Sequence, residues 1–371
     1  MQLVSINYSE YESEPREWKL NDLTLGKINL IVGKNASGKT RALNVIKSLG
    51  VMLSGNLQSL YTSGTWCVRF ESTESSGKYS GTAASERTTY EISFKNRQIT
   101  HESLRAGRRV LMSRNEHGEG SIYAFGIRKK INFRVATNQL IAPNKRDALQ
   151  HPYLQELYAW GTSISHYEFG TDFGKSTAAV FVKGTEPSES SPTNRDATLP
   201  VLQKALATYK DEFKQRVLAD LSAIGYECTD IGLMPLEGIE ISSGPAPVVM
   251  YVQERDLRCK TAQPSMSQGM YRAISVVVLL NAGILAGRFQ TILIDDIGEG
   301  LDYARSMQLI SLLVKKAQEE SFQLILTTND RFIMNAVPLE YWSVLHRESN
   351  EVKVFNFHNA KKQFTDFKFL G

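Results

Sequence analysis

A phosphate-binding loop is the strongest chemical signal in the sequence. Its spacing is G-x-x-x-x-G-K-[ST], and it reads Gly33-Lys34-Asn35-Ala36-Ser37-Gly38-Lys39-Thr40. Glycines let the backbone of such a loop approach a ligand closely, and its amide groups point at phosphate oxygens. Lys39 would reach the β- and γ-phosphates, and the hydroxyl of Thr40 would ligate Mg²⁺. The spacing therefore predicts a site for a nucleoside triphosphate with magnesium.

The segments on either side are those that this loop needs. Residues 27–32 form a short apolar run that predicts a buried strand, and residues 40–49 carry apolar side chains at helical spacing. A helix that starts at the loop adds a partial positive charge beside the phosphates. The alternative, a chance match in a glycine-rich turn, would lack this strand and helix.

A second segment suited to the same nucleotide chemistry lies in the C-terminal third of the chain. Residues 291–296 form an apolar strand that ends in two carboxylates, Asp295 and Asp296. Such a strand delivers a magnesium-binding carboxylate in many nucleotidases, which is the role expected of Asp295. Asp296 would orient and activate the attacking water. The pattern is weak alone, but it becomes specific beside a phosphate loop.

Length and composition predict an ordinary globular protein. The chain has 371 residues, 42% hydrophobic and 22% charged, which is enough for one large domain or two lobes. Its longest apolar run, 275–285, is shorter than the ~18–20 residues that cross a membrane. The N-terminus lacks a secretory pattern, and the three cysteines lack metal or redox spacing. We therefore expect a cytoplasmic protein with reduced thiols and no membrane contact.

The charge is unevenly distributed. Residues 95–146 carry twelve Lys and Arg against three Glu, a balance of +9 in a chain of net charge +4. A positive field of this size favours contact with nucleic acid. An ordinary solvated surface, with its acidic partners elsewhere in the fold, explains the count equally well.

The order of predicted elements is α/β at both ends with a β-rich and helical middle. A low-complexity loop is predicted over 184–200. Helices are predicted over 39–54, 151–166, 199–224, 268–286 and 303–320. Strands are predicted over 2–8, 18–25, 28–32, 66–71, 88–94, 109–112, 121–125, 131–135, 238–242, 248–254, 291–295, 322–327, 341–346 and 351–357. The short runs between 66 and 135 predict an antiparallel sheet.

Three further segments resemble the motifs of ABC-type ATPases. Residues 295–302, Asp-Asp-Ile-Gly-Glu-Gly-Leu-Asp, resemble the run D-E-P-T-S-A-L-D, and their Leu-Asp end resembles the D-loop. Residues 266–270 resemble the L-S-G-G-Q signature that opens a helix, and Ser267 within them lies 28 residues before Asp295. Ser267 would otherwise be an ordinary helix cap. Asn329, after the next strand, takes the place of the switch histidine.

Together these motifs identify the chain as similar to an ABC-type head ATPase of the SMC/RecF-like group. Asn35 and the 256-residue separation of Lys39 from Asp295 carry the likeness to that group. The fold implied is α/β, an ABC-ATPase head (P-loop NTPase) with an antiparallel β subdomain and an inserted helical lobe. Its implied parts are lobe I over 1–145, an inserted helical and linker region over 146–260, and lobe II over 261–371.

The resemblance also implies roles for individual residues. Asp296 and Asn329 would be catalytic, and Thr40 and Asp295 would hold Mg²⁺. Gln139 is the candidate for the Q-loop. Asp is shorter than the usual Glu at position 296, and Asn cannot change charge near neutral pH, so hydrolysis is expected to be slow. ATP would be contacted by Gly33, Lys34, Asn35, Ala36, Ser37, Gly38, Lys39, Thr40 and Arg41 of one chain, and by Ser267, Gln268, Gly269 and Asp302 of a second.

Within this group, the Asp-Asp pair, the ending Glu-Gly-Leu-Asp and residues 328–332 resemble small standalone prokaryotic ATPases of anti-phage systems, of retron, Septu-like and OLD-like types. The function implied is a homodimer that closes around two ATP molecules and regulates or scaffolds a separate nuclease or toxin. The alternative is a RecF-like ATPase that binds DNA through residues 95–146. A third reading is a binding module that keeps the fold without activity.

Overall fold

The computed structural model describes residues 1–72, 87–181, 198–236, 245–287, 290–357 and 359–360. The chain divides into two compact units. The first unit contains Met1–Ile164 and Leu339–Gly371, and the second contains Ser165–Pro338. The predicted division into lobes at residues 145 and 260 stays a prediction, because the two compact units follow the packing of the chain and not its functional parts.

The described chain forms seventeen strands and six α-helices. The helices are α1 (Lys39–Leu53), α2 (Pro152–Thr162), α3 (Thr198–Ala223), α4 (Gln268–Leu285), α5 (Tyr303–Glu319) and α6 (Arg331–Met334). The strands are β1 (Gln2–Glu10), β2 (Trp18–Thr24), β3 (Ile28–Val32), β4 (Ser63–Glu71), β5 (Arg87–Lys95), β6 (Gln98–Ala106), β7 (Arg109–Arg114), β8 (Glu119–Ala124), β9 (Lys129–Arg134), β10 (Ile164–Glu168), β11 (Cys228–Pro235), β12 (Val248–Glu254), β13 (Thr261–Ala262), β14 (Gln290–Asp295), β15 (Phe322–Thr327), β16 (Trp342–Glu348) and β17 (Glu351–Asn356).

The first unit is built on one large sheet. Its strand order is β3-β16-β17-β2-β1-β4-β5-β6-β7-β8-β9. β16 runs parallel to β3 and β17 runs parallel to β2, whereas neighbouring strands from β2 to β9 are antiparallel. All five residues of β3 are buried, as expected of a strand covered on both faces. α1 follows directly and buries the apolar stripe that the sequence predicted.

The antiparallel part of this sheet confirms the predicted β-rich segment and adds a strand to it. β4 and β5 alternate buried and more exposed residues, the period of a strand with one face on the core. β6 was not predicted, because polar residues hide its alternation. Two of its buried residues are Glu102 and Ser103.

A buried cluster with one carboxylate and one guanidinium explains why polar residues occupy that core. Glu102 lies opposite Arg114 on the neighbouring strand, and neither is more than 2% exposed. The carboxylate accepts hydrogen bonds from the backbone amides of Ile141 (2.8 Å) and Ala142 (2.9 Å) and from the hydroxyl of Tyr90 (3.1 Å). The guanidinium donates to carbonyls of residues 99, 115, 136, 137 and 139. The cluster therefore fixes the segment 136–142 against the sheet.

The second unit contains the short strands β10, β14 and β15 and the helices α3 to α6. β14 and β15 are parallel and almost wholly buried. The predicted helix 151–166 is wrong at its C-terminal end, because the chain turns at Ser163 and continues as β10. A separate three-stranded sheet has the order β11-β12-β13. The predicted strand 238–242 and most of the predicted loop 184–200 lie outside the described residues.

Three helices of the second unit meet at one buried polar cluster. The carboxylate of Asp220 on α3 accepts hydrogen bonds from the amide of Asn281 on α4 (2.6 Å) and from the ammonium of Lys316 on α5 (2.9 Å). Asn281 is fully buried and Asp220 is nearly so. These charge-assisted bonds fix the relative positions of the three helices.

Among the described residues, α4 is the one helix long and apolar enough to cross a membrane by length and composition. Buried residues make up 67% of its apolar window. α3, its neighbour in the polar cluster, packs along it and accounts for part of that burial. The core helices of globular proteins have this character.

Candidate functional site

The first unit presents the phosphate loop in an open turn between β3 and α1. Gly38 has φ +102°, a conformation that side-chain-bearing residues rarely adopt. A Cβ on Gly33 would lie 2.7 Å from the carbonyl oxygen of Leu345, so only glycine fits there. Both glycines are therefore required by the local backbone, as the sequence motif predicted.

Two polar side chains of the loop, Ser37 and Lys39, are buried. Lys39 is 7% exposed, and its ammonium donates to the carbonyls of Gly33 (2.9 Å) and Lys34 (3.3 Å). The hydroxyl of Ser37 is buried and has no hydrogen-bond partner within the described chain. Thr40, by contrast, is exposed on the first turn of α1. A buried cation, an unsatisfied hydroxyl and a helix N-terminus fit a polyphosphate.

Arg41 anchors the loop to the neighbouring strands. It forms an ion pair with Glu10 at the end of β1, and its guanidinium lies 4.2 Å from the ring centroid of Trp18 on β2. A Cβ on Gly38 would lie 3.2 Å from the same indole. The predicted ATP contacts include Arg41, but nothing in the neighbouring sequence indicates these two partners, which lie 31 and 23 positions away.

The second unit brings Asp295 and Asp296 to the carboxyl ends of two parallel strands. Thr327, the last residue of β15, donates its hydroxyl to the carboxylate of Asp295 and accepts the backbone amide of Asp296 (2.8 Å). Asp295 is 6% exposed, so its carboxylate is fixed at the edge of a buried strand. Sequence reasoning missed Thr327, whose position at the end of an apolar run is the one available signal.

Asp296 has a strained backbone and contacts the candidate switch residue. Its φ is +50°, which is uncommon for a residue other than glycine and is often found at functional sites. The side-chain amide of Asn329 donates to the Asp296 carboxylate at 3.0 Å. The structure therefore brings together both predicted catalytic residues, Asp296 and Asn329, beside Asp295.

The signature-like segment caps α4. Ser267 accepts a hydrogen bond from the backbone amide of Met270 (3.1 Å), which is an ordinary helix cap as well as the expected signature geometry. A Cβ on Gly269 would lie 2.2 Å from the carbonyl oxygen of Gly300, so the helix start touches the D-loop-like segment. The side-chain amide of Gln268 donates a hydrogen bond to the carbonyl of Asp172 (2.7 Å), so this side chain is not free to contact a ligand in this conformation.

Asp302 closes the D-loop-like segment by capping α5. Its carboxylate accepts hydrogen bonds from the backbone amide of Arg305 (3.0 Å) and from the Arg305 guanidinium (2.9 Å). These bonds hold the pKa of Asp302 below its usual value. The group is therefore a stable anion at neutral pH.

Arg272 is a buried residue that the sequence analysis did not single out. It is 7% exposed and donates to the carbonyls of Thr171 (2.6 Å) and Glu299 (2.9 Å). It thus connects the start of α4 to the segment after β10 and to the D-loop-like segment. Burial lowers the pKa of its guanidinium.

The structure does not bring Gln139 to the phosphate loop. A Cβ on Gly55, just beyond the C-terminal end of α1, would lie 3.4 Å from the Cβ of Pro143, whereas the loop lies at the other end of this 15-residue helix. The helix spans about 22 Å at 1.5 Å per residue. The Gln139 side chain is exposed, and its carbonyl accepts a hydrogen bond from Arg114 (2.8 Å).

The basic segment is largely unneutralised. Arg114 is buried opposite Glu102, and Arg134 lies 3.9 Å from Glu119. This distribution favours contact with an anion over neutralisation within the fold. Nine cations of this segment have no acidic side chain within 4.0 Å among the described residues, namely Lys95, Arg97, Arg105, Arg108, Arg128, Lys129, Lys130, Lys145 and Arg146. Among all the residues that the structure describes, no three or more His, Cys, Asp or Glu side chains form a group that could hold a metal ion.

Comparisons with known proteins agree with this arrangement. Residues 28–335 match a family described as AAA domain, putative AbiEii toxin, type IV TA system. No curated protein matches the sequence significantly. An SMC head bound to the C-winged helix domain of ScpA has a similar structure, with a TM-score of 0.57 and 12% identity over 98% of this chain and 100% of that one. An SMC head with an extended coiled coil, bound to the C-terminal domain of ScpA derived from Pyrococcus furiosus, has a TM-score of 0.52 and 11% identity over 98% and 99%.

Proposed function

The chain belongs to the family described as AAA domain, putative AbiEii toxin, type IV TA system, and from that membership we propose that it hydrolyses ATP to control a separate effector. Its fold is that of an ABC-type P-loop NTPase head of the SMC kind. The predicted α/β class, with an antiparallel β subdomain and an inserted helical lobe, is confirmed. ATP and Mg²⁺ are the ligands that this family and fold imply.

The observation that carries the proposal is the conformation of the phosphate loop. Gly38 at φ +102°, the buried ammonium of Lys39 and the unpartnered hydroxyl of Ser37 together suit a chain of phosphates. In this proposal the segment Gly33 to Arg41 contacts ATP. The hydroxyl of Thr40 and the carboxylate of Asp295 hold Mg²⁺, which would neutralise charge on the phosphates.

Asp296 is the proposed base. Its carboxylate accepts a hydrogen bond from Asn329, so the amide can hold the carboxylate in one orientation while a water molecule loses its proton to it. Asn329 stays neutral throughout the pH range of activity, so it positions the carboxylate without itself carrying a proton. We expect a low turnover number from this neutral partner and from the short Asp side chain.

Homodimerisation is the proposed route from ATP to an effect. Ser267, Gly269, Asp302 and the backbone of Gln268 would face the ATP of a second chain, and closure would depend on bound nucleotide. A second protein partner has a precedent in the two matched SMC heads, which are bound by domains of ScpA. The family description, a putative toxin of a type IV toxin–antitoxin system, favours an effector in cytoplasmic anti-phage defence.

Two variants test this proposal. Lys39→Ala is expected to abolish ATP binding, and Asp296→Asn is expected to retain it and to accumulate an ATP-bound dimer in sedimentation. A chain that stays monomeric at every ATP concentration would refute the dimer. The Asp296→Asn chain, tagged at its native locus, should also recover a nuclease-like or toxin-like neighbour that mass spectrometry identifies.

A second candidate function is DNA binding of the RecF type, favoured by the nine cations of the basic segment that have no acidic partner within the described residues. The logarithm of the binding constant should then fall with the logarithm of salt concentration, with a slope of about −0.9 per phosphate contacted. Lys129→Glu with Lys130→Glu should reduce that slope by about two. DNA binding that does not depend on salt concentration, or a slope unchanged in the variant, would exclude this surface as the DNA-binding site.

A further inference from the structure

The C-terminal strand β16 runs beside the phosphate loop. It is parallel to β3, with Trp342 paired to Leu30 and Val344 to Val32. The residues after Val344 must therefore pass alongside the loop, which begins at Gly33. The close approach of the Leu345 carbonyl to Gly33 is a direct sign of this path.

Two residues later, this strand places an arginine against the loop. The guanidinium of Arg347 donates to the carbonyl of Ala36, inside the loop, at 3.4 Å and to the carbonyl of Ser349 at 2.8 Å. The side chain is exposed. At 3.4 Å this hydrogen bond is longer than the usual N–H···O distance, so little is lost if the side chain leaves the carbonyl.

Arg347 is also a cation without an acidic partner. Its neighbour Glu348 is paired with Lys353 at 2.6 Å and with His346 at 3.5 Å. Within the described ranges, no carboxylate lies within 4.0 Å of the Arg347 guanidinium. Its charge is therefore available to an anion bound at the loop.

We propose that Arg347 binds the polyphosphate of the nucleotide, as a second cation beside Lys39. This rests on the proposed function, because it assumes that the loop binds ATP. A guanidinium holds two phosphate oxygens in a fixed planar geometry, whereas the lysine ammonium acts as a point charge. Arg347 therefore adds orientation to the charge that the phosphate-loop motif already supplies, and it does so from more than 300 residues away in sequence.

The test measures binding of ATP and of inorganic tripolyphosphate to the full chain, by displacement of a fluorescent ATP analogue in the presence of Mg²⁺. Arg347→Gln should weaken both ligands about tenfold, the loss of one charge-assisted contact of about 1.4 kcal/mol. Arg347→Lys should recover part of the loss. Lys353→Gln, which removes an exposed cation from the adjacent strand β17, should leave both affinities within about twofold of wild type.

Each other outcome overturns the assignment. Unchanged binding of both ligands would show that Arg347 does not contact the phosphates, and weakened binding of ATP alone would place it at the nucleoside. Equal losses in Arg347→Gln and Arg347→Lys, with a lower unfolding temperature, would make it a structural tether of the loop. If wild type binds no ATP, or if Lys39→Ala binds it normally, the proposed ATPase itself fails.

Discussion

Removing the carboxylate of Glu102 should strongly destabilise the first unit. Glu102→Ala leaves the amides of Ile141 and Ala142 without their acceptor, and an unsatisfied buried donor costs about 1–3 kcal/mol. It also leaves the Arg114 cation buried without its opposite charge. Two unsatisfied amides and a buried cation that loses the opposite charge on the neighbouring strand together predict a loss of about 3–5 kcal/mol.

The assay is thermal unfolding followed by calorimetry. A loss of about 3–5 kcal/mol corresponds to a fall of about 6–20 °C in the unfolding temperature of a unit of this size. The matched control is Glu91→Ala on the adjacent strand β5, where the carboxylate is 35% exposed and 3.7 Å from His101. A loss below about 1 kcal/mol for Glu102→Ala, or one equal to that of the control, would refute the reasoning.

The same carboxylate should leave a pH signature. Burial is the largest cause that raises the pKa of Glu102 above 4.5. Between 4.5 and the higher folded value, the folded chain binds more protons than the unfolded chain, so this group makes the free energy of unfolding fall as pH rises. Glu102→Gln removes the titration and should flatten that slope in denaturant titrations from pH 4.5 upward. An unchanged slope would show that Glu102 does not titrate in this window.

Other substitutions test the loop, the helix cluster and the signature contact. Gly38→Ala forces a side chain to φ +102° and should cost about 1–3 kcal/mol and weaken ATP binding, whereas Gly107→Ala, with open space around it, should leave binding unchanged. Asp220→Ala leaves the Lys316 ammonium without its carboxylate and should cost about 3–5 kcal/mol in urea unfolding of the second unit. Gly269→Ala should lower the ATP turnover number while the dissociation constant for ATP stays constant, and a normal turnover would contradict the close contact.

The elements around the candidate site were predicted because their signals are local. The phosphate loop needs glycines at fixed positions, and β3 and α1 carry continuous or periodic apolar runs directly before and after it. Strand, loop and helix follow one another directly in the sequence, so each pattern supports the prediction of the others. The same holds for Asp295 and Asp296, which directly follow such a run.

What was missed depends on contacts between distant residues. Glu102 makes β6 look polar, because its partner Arg114 becomes apparent only when the strands are paired. Gln139 was proposed from its place after a strand, and the path of the chain takes it to the far end of α1. Arg347 carries no motif, since only the pairing of β16 with β3 reveals its position beside the loop.

The cations of β9 also have a consequence for the handling of the protein. β9 is the last strand of its sheet and, within the described residues, pairs only with β8. Its exposed Lys129, Lys130 and Arg134 discourage a second molecule from adding to this open edge, which also exposes Ile131. Neutral substitutions there would remove this repulsion and favour aggregation during purification. Charge reversal, by contrast, keeps the edge charged while it removes attraction to phosphate, so a soluble reversed variant separates the two effects.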